Sequence, residues 1–246
     1  MPTLPENKKK QPKVNELPDV FIYGASYVGK STFEDGADNI LIFSTDGNTD
    51  ELTSPTIQIA NKVTVNGRIT TTKLAWEVFR DWVDELEKKQ NTYKYVGIDL
   101  LEDLRELCRV YIYKKMNITH ESDAGFGKAY DMVTTEFNTV LKRIKAAGYH
   151  LIIVSKEVEG EVTLKSGGQY TTFKPNVPDK VANTIAGLVD ISARAFVDEN
   201  GKRWLQLGKQ DHIFGGGRYN FSVDKCDLSM TALVNEIKKI SGGKKQ

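Results

Sequence analysis

The chain is predicted to fold as an α/β domain, a mainly parallel sheet flanked by helices, with antiparallel β-hairpins in the C-terminal third. Three observations predict it. Short continuous apolar runs alternate with stretches of helical periodicity, the pattern of strands buried on both faces by crossover helices. The first of those runs leads directly into a glycine-rich turn and then a helix. Beyond residue 155 the apolar runs come in pairs separated by turn residues, which is the signal of hairpins.

In chain order, Val20-Phe21-Ile22-Tyr23 is the first strand and Asn39 to Thr45 the second. Trp76, Phe79, Val83 and Leu86 recur at helical spacing, with Asp84/Lys88 and Glu85/Lys89 pairs on the wet side. Tyr93 to Ile98 is the third strand, and Leu100, Leu101, Leu104, Leu107 and Tyr111 mark the next helix. A longer helix runs from about Lys128 to Ala147, with Gly148 as its left-handed stop, and Tyr149 to Val154 is the fourth strand. Val158 to Lys165 with Gln169 to Lys174 reads as one hairpin, and Asp190 to Val197 with Lys202 to Gly208 as another, across Glu199-Asn200-Gly201. A last helix begins after Asp227, with Ser229 as N-cap and Leu233, Val234, Ile237 and Ile240 turned inward.

At 246 residues, the length fits one large domain with short appendages. Residues 1–17 read as a disordered basic arm, 18–240 as the folded domain and 241–246 as a flexible tail. No apolar run is long enough to span a membrane, and the N-terminal stretch lacks the apolar core of a secretory signal. Two cysteines, Cys108 and Cys226, form no framework, which fits a reducing interior, and three histidines give no zinc cluster. With 34 basic against 33 acidic residues there is no global field for a polyanion, so any such surface is local.

The sharpest motif is Gly24-Ala25-Ser26-Tyr27-Val28-Gly29-Lys30-Ser31, followed by Thr32, which fits G-x-x-x-x-G-K-[ST] without a mismatch. Its glycines let the backbone wrap tightly and aim N–H groups at a β-phosphate. Lys30 is placed to bridge β- and γ-phosphate oxygens, and the Ser31 hydroxyl to hold Mg²⁺. A nucleoside triphosphate with Mg²⁺ is therefore the expected ligand. Asp99, ending the strand Tyr95-Val96-Gly97-Ile98, is the candidate magnesium-ordering acid, although it also suits a helix N-cap. Asp46, after the second strand, is the candidate catalytic acid, against the plain reading of an Asp-Gly turn. Ser155, at the exit of the fourth strand, is the candidate γ-phosphate sensor, and Glu102 reads as a solvated helix residue.

With these residues in place the chain resembles the phage nucleotide-binding proteins with an AAA domain, RecA-type P-loop ATPases, and is similar also to phage RecA-like single-strand annealing proteins. The resemblance covers roughly residues 18–220 and rests on GASYVGKST, ILIFSTDGN, YVGID, GFGKAYDMVTTEF, SKE and VPDKVANTIAGLVDISARAF. It implies ATP as the nucleotide, a RecA-like core, a homo-oligomeric ring or filament, and a site completed by a basic residue of the neighbouring subunit, Arg218 or Lys209. It implies single-stranded DNA as partner, through loops near 114–128 and 157–180, where Lys165, Tyr170 and Lys174 interleave cations with a ring. It also implies the cytoplasm of a bacterial host. Three departures stand out: the helix after the phosphate loop must be short, Ser155-Lys156-Glu157 stands where the family often has a histidine at the sensor-strand exit, and Asp46 is one methylene shorter than the glutamate usual there, which suggests slow hydrolysis. A nucleotide-switched loader for a helicase or single-strand-binding protein is the alternative.

Overall fold

The computed structural model describes residues 6–7, 16–125, 127–163 and 167–242. The first half runs β1 (Val20–Gly24), α1 (Lys30–Asp35), β2 (Ile40–Ser44), β3 (Thr56–Gln58), β4 (Lys62–Asn66), β5 (Ile69–Lys73), α2 (Ala75–Glu87), β6 (Tyr95–Asp99) and α3 (Leu101–Met116). After a 3₁₀ turn at Glu121–Ala124 come α4 (Lys128–Ala146), β7 (His150–Thr163), β8 (Gln169–Pro175), α5 (Asp179–Leu188) and β9 (Ile191–Val197). The chain then adds β10 (Arg203–Gln206), β11 (Gly216–Gly217), β12 (Lys225–Asp227) and α6 (Met230–Gly242).

The main sheet has the order β12-β10-β9-β1-β7-β6-β2-β3. From β9 to β3 every neighbouring pair is parallel, while β10 and β12 run antiparallel at the other edge. The parallel strands are buried on both faces, which explains their unbroken apolar runs. Alternation along each strand sorts the side chains between two cores. Phe21, Phe43, Val96, Ile98 and Ile153 face α2, α3, α4 and α5, where Trp76 stacks on Phe137 at 5.8 Å between ring centroids. Val20, Ile22, Ile42, Ile152 and Val154 face α1 and α6. The architecture is therefore three layers, as the periodicity predicts.

Several boundaries differ from the sequence reading. The expected break after Val154 is absent: β7 runs unbroken for 14 residues, leaves the sheet, and pairs with β8. No turn residue interrupts it before Gly160, and backbone partners lie on both sides. The β4–β5 hairpin lies in a stretch for which no element is predicted from the sequence; Asn66-Gly67 supplies its turn, with Gly67 at φ 62°. Helix α1 is short, six residues, as the spacing requires. Gly148 does adopt the left-handed conformation after α4, and the Ser229 hydroxyl accepts the N–H of Ala232 at 3.1 Å as an N-cap. Among the described residues no helix is long and apolar enough to cross a membrane.

Candidate nucleotide-binding site

Strand register brings the site together. Gly24 lies level with Lys156 of β7, Val154 with Asp99 of β6, and Asp99 with Ser44 of β2. The carboxyl ends of four parallel strands thus share one edge, and the 24–31 turn closes over it. Gly24 is required there, because a Cβ would lie 2.4 Å from the carbonyl oxygen of Ala195. β7 stands between β1 and β6, so the loop and Asp99 face each other across one intervening strand.

The Lys30 ammonium is nearly buried and donates to the carbonyl oxygens of Gly24 and Ala25, each at 2.8 Å. Burial lowers its pKa, against the pull of Asp99, Glu102 and Glu157. The Ser31 hydroxyl donates to Asp99 Oδ2 at 2.7 Å. Burial raises the Asp99 carboxyl, the Ser31 hydrogen bond opposes it, and the charge of Asp46 adds to the rise. A hydroxyl and a carboxylate held in contact are hard oxygen donors, and they fit Mg²⁺. Ser31 and Asp99 are the residues that would hold it.

Asp46 is exposed in the turn after β2. Its carboxylate accepts from Ser44 Oγ and from both the backbone N–H and side-chain amide of Asn48, at 2.9–3.1 Å. Burial pushes it up, but these hydrogen bonds outweigh it and hold the group below the usual carboxylate range. The turn reading of Asp46 is what the geometry shows, an Asx turn whose carboxylate is exposed after β2.

No curated protein matches the chain. The family model described as "AAA domain" matches residues 17–219. The chain belongs to that family. The AAA domain is thus a nucleotide-binding P-loop ATPase domain, and the 24–31 turn carries the phosphate-loop motif. Among solved structures the chain is similar to a prototypical ATPase from the type III secretion system of pathogenic bacteria, at 14% identity and TM-score 0.42. That match covers 75% of this chain and about half, 53%, of the other.

The remaining expected site residues are scattered. Ser155 is fully buried; its hydroxyl donates to the Lys156 carbonyl at 3.1 Å and accepts Asn176 N–H at 3.2 Å. Strand alternation instead turns the exposed Lys156 toward the phosphate loop, where its charge reaches Lys30. Arg218 binds Asp190 Oδ1 at 3.1 Å and the Gly187 carbonyl at 3.2 Å. Gly217 pairs with Ile191 at the amino end of β9, so within its own chain Arg218 stands at the opposite edge of the sheet from the loop. Lys209 is exposed and lines the same cleft as Arg218, about 660 Å³ in volume. Tyr170 is 36% exposed on β8, and Lys174 pairs with Asp179 at 2.8 Å. Lys165 lies outside the described residues.

Two acids in the site escape a reading of the sequence. Glu102 is not a solvated helix residue: Oε1 accepts the N–H of Lys156 at 2.8 Å, and burial raises its pKa. Its place three residues after Asp99, one turn into α3, is the only sequence cue. Glu34 is fully buried, and neither carboxyl oxygen has a hydrogen-bond partner among the described residues. It fills the space left by Gly97, where a Cβ would lie 2.3 Å from Oε1. Burial first and the charge of Asp99 second push its pKa well above the usual range, with the Ile98 backbone opposing them.

Proposed function

We propose that this AAA domain is a slowly hydrolysing RecA-like ATPase of phage DNA recombination or replication, which assembles on nucleotide binding and engages single-stranded DNA in the manner of an annealing protein. The observation that carries the ATPase part is the Ser31–Asp99 contact across the sheet from a fitted phosphate loop. In this reading Lys30 leaves the Gly24 and Ala25 carbonyls for the β- and γ-phosphate oxygens. Magnesium, when bound, neutralises phosphate charge beside Ser31 and Asp99. Asp46 orients water for in-line attack on the γ-phosphate. It is the better of two acids for that role, because it keeps its charge at neutral pH, whereas Glu102 commits Oε1 to Lys156 and is pushed toward neutrality. A strongly acidic carboxylate is a weak base, which agrees with slow turnover.

The far-edge position of Arg218 and Lys209 supports a site shared between subunits, in which they act on the neighbour's nucleotide. For DNA contact, the β4–β5 hairpin carries Lys62 and Arg68, with Lys73 paired to Asp81 at its end and no acidic residue from 52 to 76. The β7–β8 hairpin is less favourable, since Glu159 and Glu161 are exposed on it and Lys174 is paired. That second observation favours the alternative of a nucleotide-switched loader for a helicase or single-strand-binding protein. Light scattering with ATP–Mg²⁺ and labelled oligo-dT, beside Lys30→Ala, separates the two. Assembly that needs both ligands and fails in the variant supports the annealing reading. Nucleotide binding with no response to DNA removes it and leaves the loader.

A further inference from the structure

Arg203 has no counterpart among the residues that the phosphate-loop motif identifies. It opens β10, which runs antiparallel to β9 with Arg203 level with Val197, so it stands at the carboxyl edge of the sheet beside the phosphate loop. Alternation puts it on the same face as Leu205, which is buried with Val28 and Phe33 of the loop–α1 segment. Its Nη1 lies 3.3 Å and its Cδ 3.7 Å from the point a Cβ of Gly29 would occupy, and Leu228 Cδ2 lies 3.6 Å from the same point. The side chain is exposed, and its guanidinium makes no hydrogen bond or ion pair among the described residues. Its backbone is fixed by β9 and by the Leu228 N–H, which donates to the Arg203 carbonyl at 3.3 Å.

The loop has two unlike flanks. Asp99, Glu102 and Lys156 stand on the β6–β7 side, where Ser31 points and where the γ-phosphate and metal belong. A nucleotide with its γ-phosphate on that side trails its other end over Gly29 toward β9 and β10. We infer that Arg203, from the same chain, binds the α-phosphate at the nucleoside end of the nucleotide. A guanidinium suits the task, since it stays charged, is already placed by its packed stem, and offers forked donors to phosphate oxygens. The inference rests on nucleotide binding at the loop and does not depend on any engagement of DNA.

The test is a titration of the full chain with mant-ADP and mant-ATP, comparing wild type, Arg203→Ala and Arg203→Lys. Loss of one charge-assisted contact is expected to weaken both nucleotides by the same factor, about 10- to 100-fold. Lysine is expected to restore part of it. At saturating ATP, kcat is expected to stay at the wild-type value while KM rises, which a merely structural role would not produce. Unchanged affinity in Arg203→Ala overturns the inference, as does a loss confined to mant-ATP, which would move the contact to the γ-phosphate. Should Arg203→Ala lower Tm, Arg203→Met keeps the stem against Gly29 and Leu228 and decides: wild-type affinity in that variant overturns the inference, and weakened binding of both nucleotides sustains it.

Discussion

At the scale of single residues, Glu34 sets a stability that depends on pH. Its carboxyl is raised in the folded protein, so the fold holds the proton that the unfolded chain releases. Below the unfolded pKa both states are protonated and there is no penalty; above it, the folded state loses stability as pH rises toward the folded pKa. Glu34→Gln, neutral at every pH, is expected to match wild type in Tm near pH 4 and to exceed it at pH 7 to 8. Equal Tm values across that range would show that Glu34 ionises freely. Asp46 and Glu102 separate by kinetics. Asp46→Asn is expected to lower kcat by about 100-fold or more, the scale of a lost acid–base group, with nucleotide affinity kept, while Glu102→Gln stays within a few-fold. The reverse result transfers the role to Glu102. The phosphate loop is legible in the sequence because its chemistry is local, eight consecutive residues after a strand. Glu34, Glu102 and Arg203 are not, because each acquires its role only when a helix or strand distant in sequence packs against it.

Among the elements, those that close the core announce both their period and their buried side, and those that leave it show at most the period. α2 is plain in the spacing of Trp76, Phe79, Val83 and Leu86, all buried. Trp76 also donates to Glu136 Oε1 at 3.1 Å, tying α2 to α4. Trp76→Ala is expected to cost about 3–5 kcal/mol, by loss of the transferred surface and the cavity left behind, readable from denaturant midpoints at unchanged slope. The β4–β5 hairpin is the opposite case. Both strands are exposed throughout, with Val63, Val65 and Ile69 each more than 60% exposed. Lys62-Val63-Thr64-Val65-Asn66 does alternate and leads into the Asn66-Gly67 turn, but with no buried face the alternation marks no core-facing side. Its ties to the body are Lys62 over the Trp82 ring, Lys73 with Asp81, and the Asn61 cap of Ala75. Replacing residues 62–73 with a short Gly-Ser turn is expected to leave Tm within a few degrees of wild type. A large fall would mean that the hairpin belongs to the folding unit.

For the molecule as a whole, the two edges of the sheet do different work. The carboxyl edge collects the phosphate loop and its acids. The amino edge is knitted by Asp19, whose carboxylate accepts Leu151 N–H at 2.6 Å and Lys145 Nζ at 2.8 Å while its own N–H donates to Asp190. Arg218 joins that edge through Asp190. If Arg218 serves a neighbour's nucleotide, Lys30→Ala and Arg218→Ala chains are each inactive alone, and mixing them is expected to restore part of the ATPase rate. Some interfaces in the mixture then pair an intact loop with an intact arginine. A mixture no more active than its components would confine the site to one chain. Nothing at this scale is visible in composition, whose charges nearly cancel.

β7 carries one more implication. Its 14 residues span roughly 46 Å, from the amino edge of the sheet at His150, past the phosphate loop at Lys156, to Thr163 in the β7–β8 hairpin. The strand is gripped near its midpoint, where Glu102 takes the Lys156 N–H and Asn176 donates to the Lys156 carbonyl. It is a rod with one end clamped by the sheet and the other projecting into solvent. By lever length alone, any rotation about the grip would be larger at the free end, and the Phe173 backbone, bonded to His212 and Phe214, braces the hairpin near its base against it.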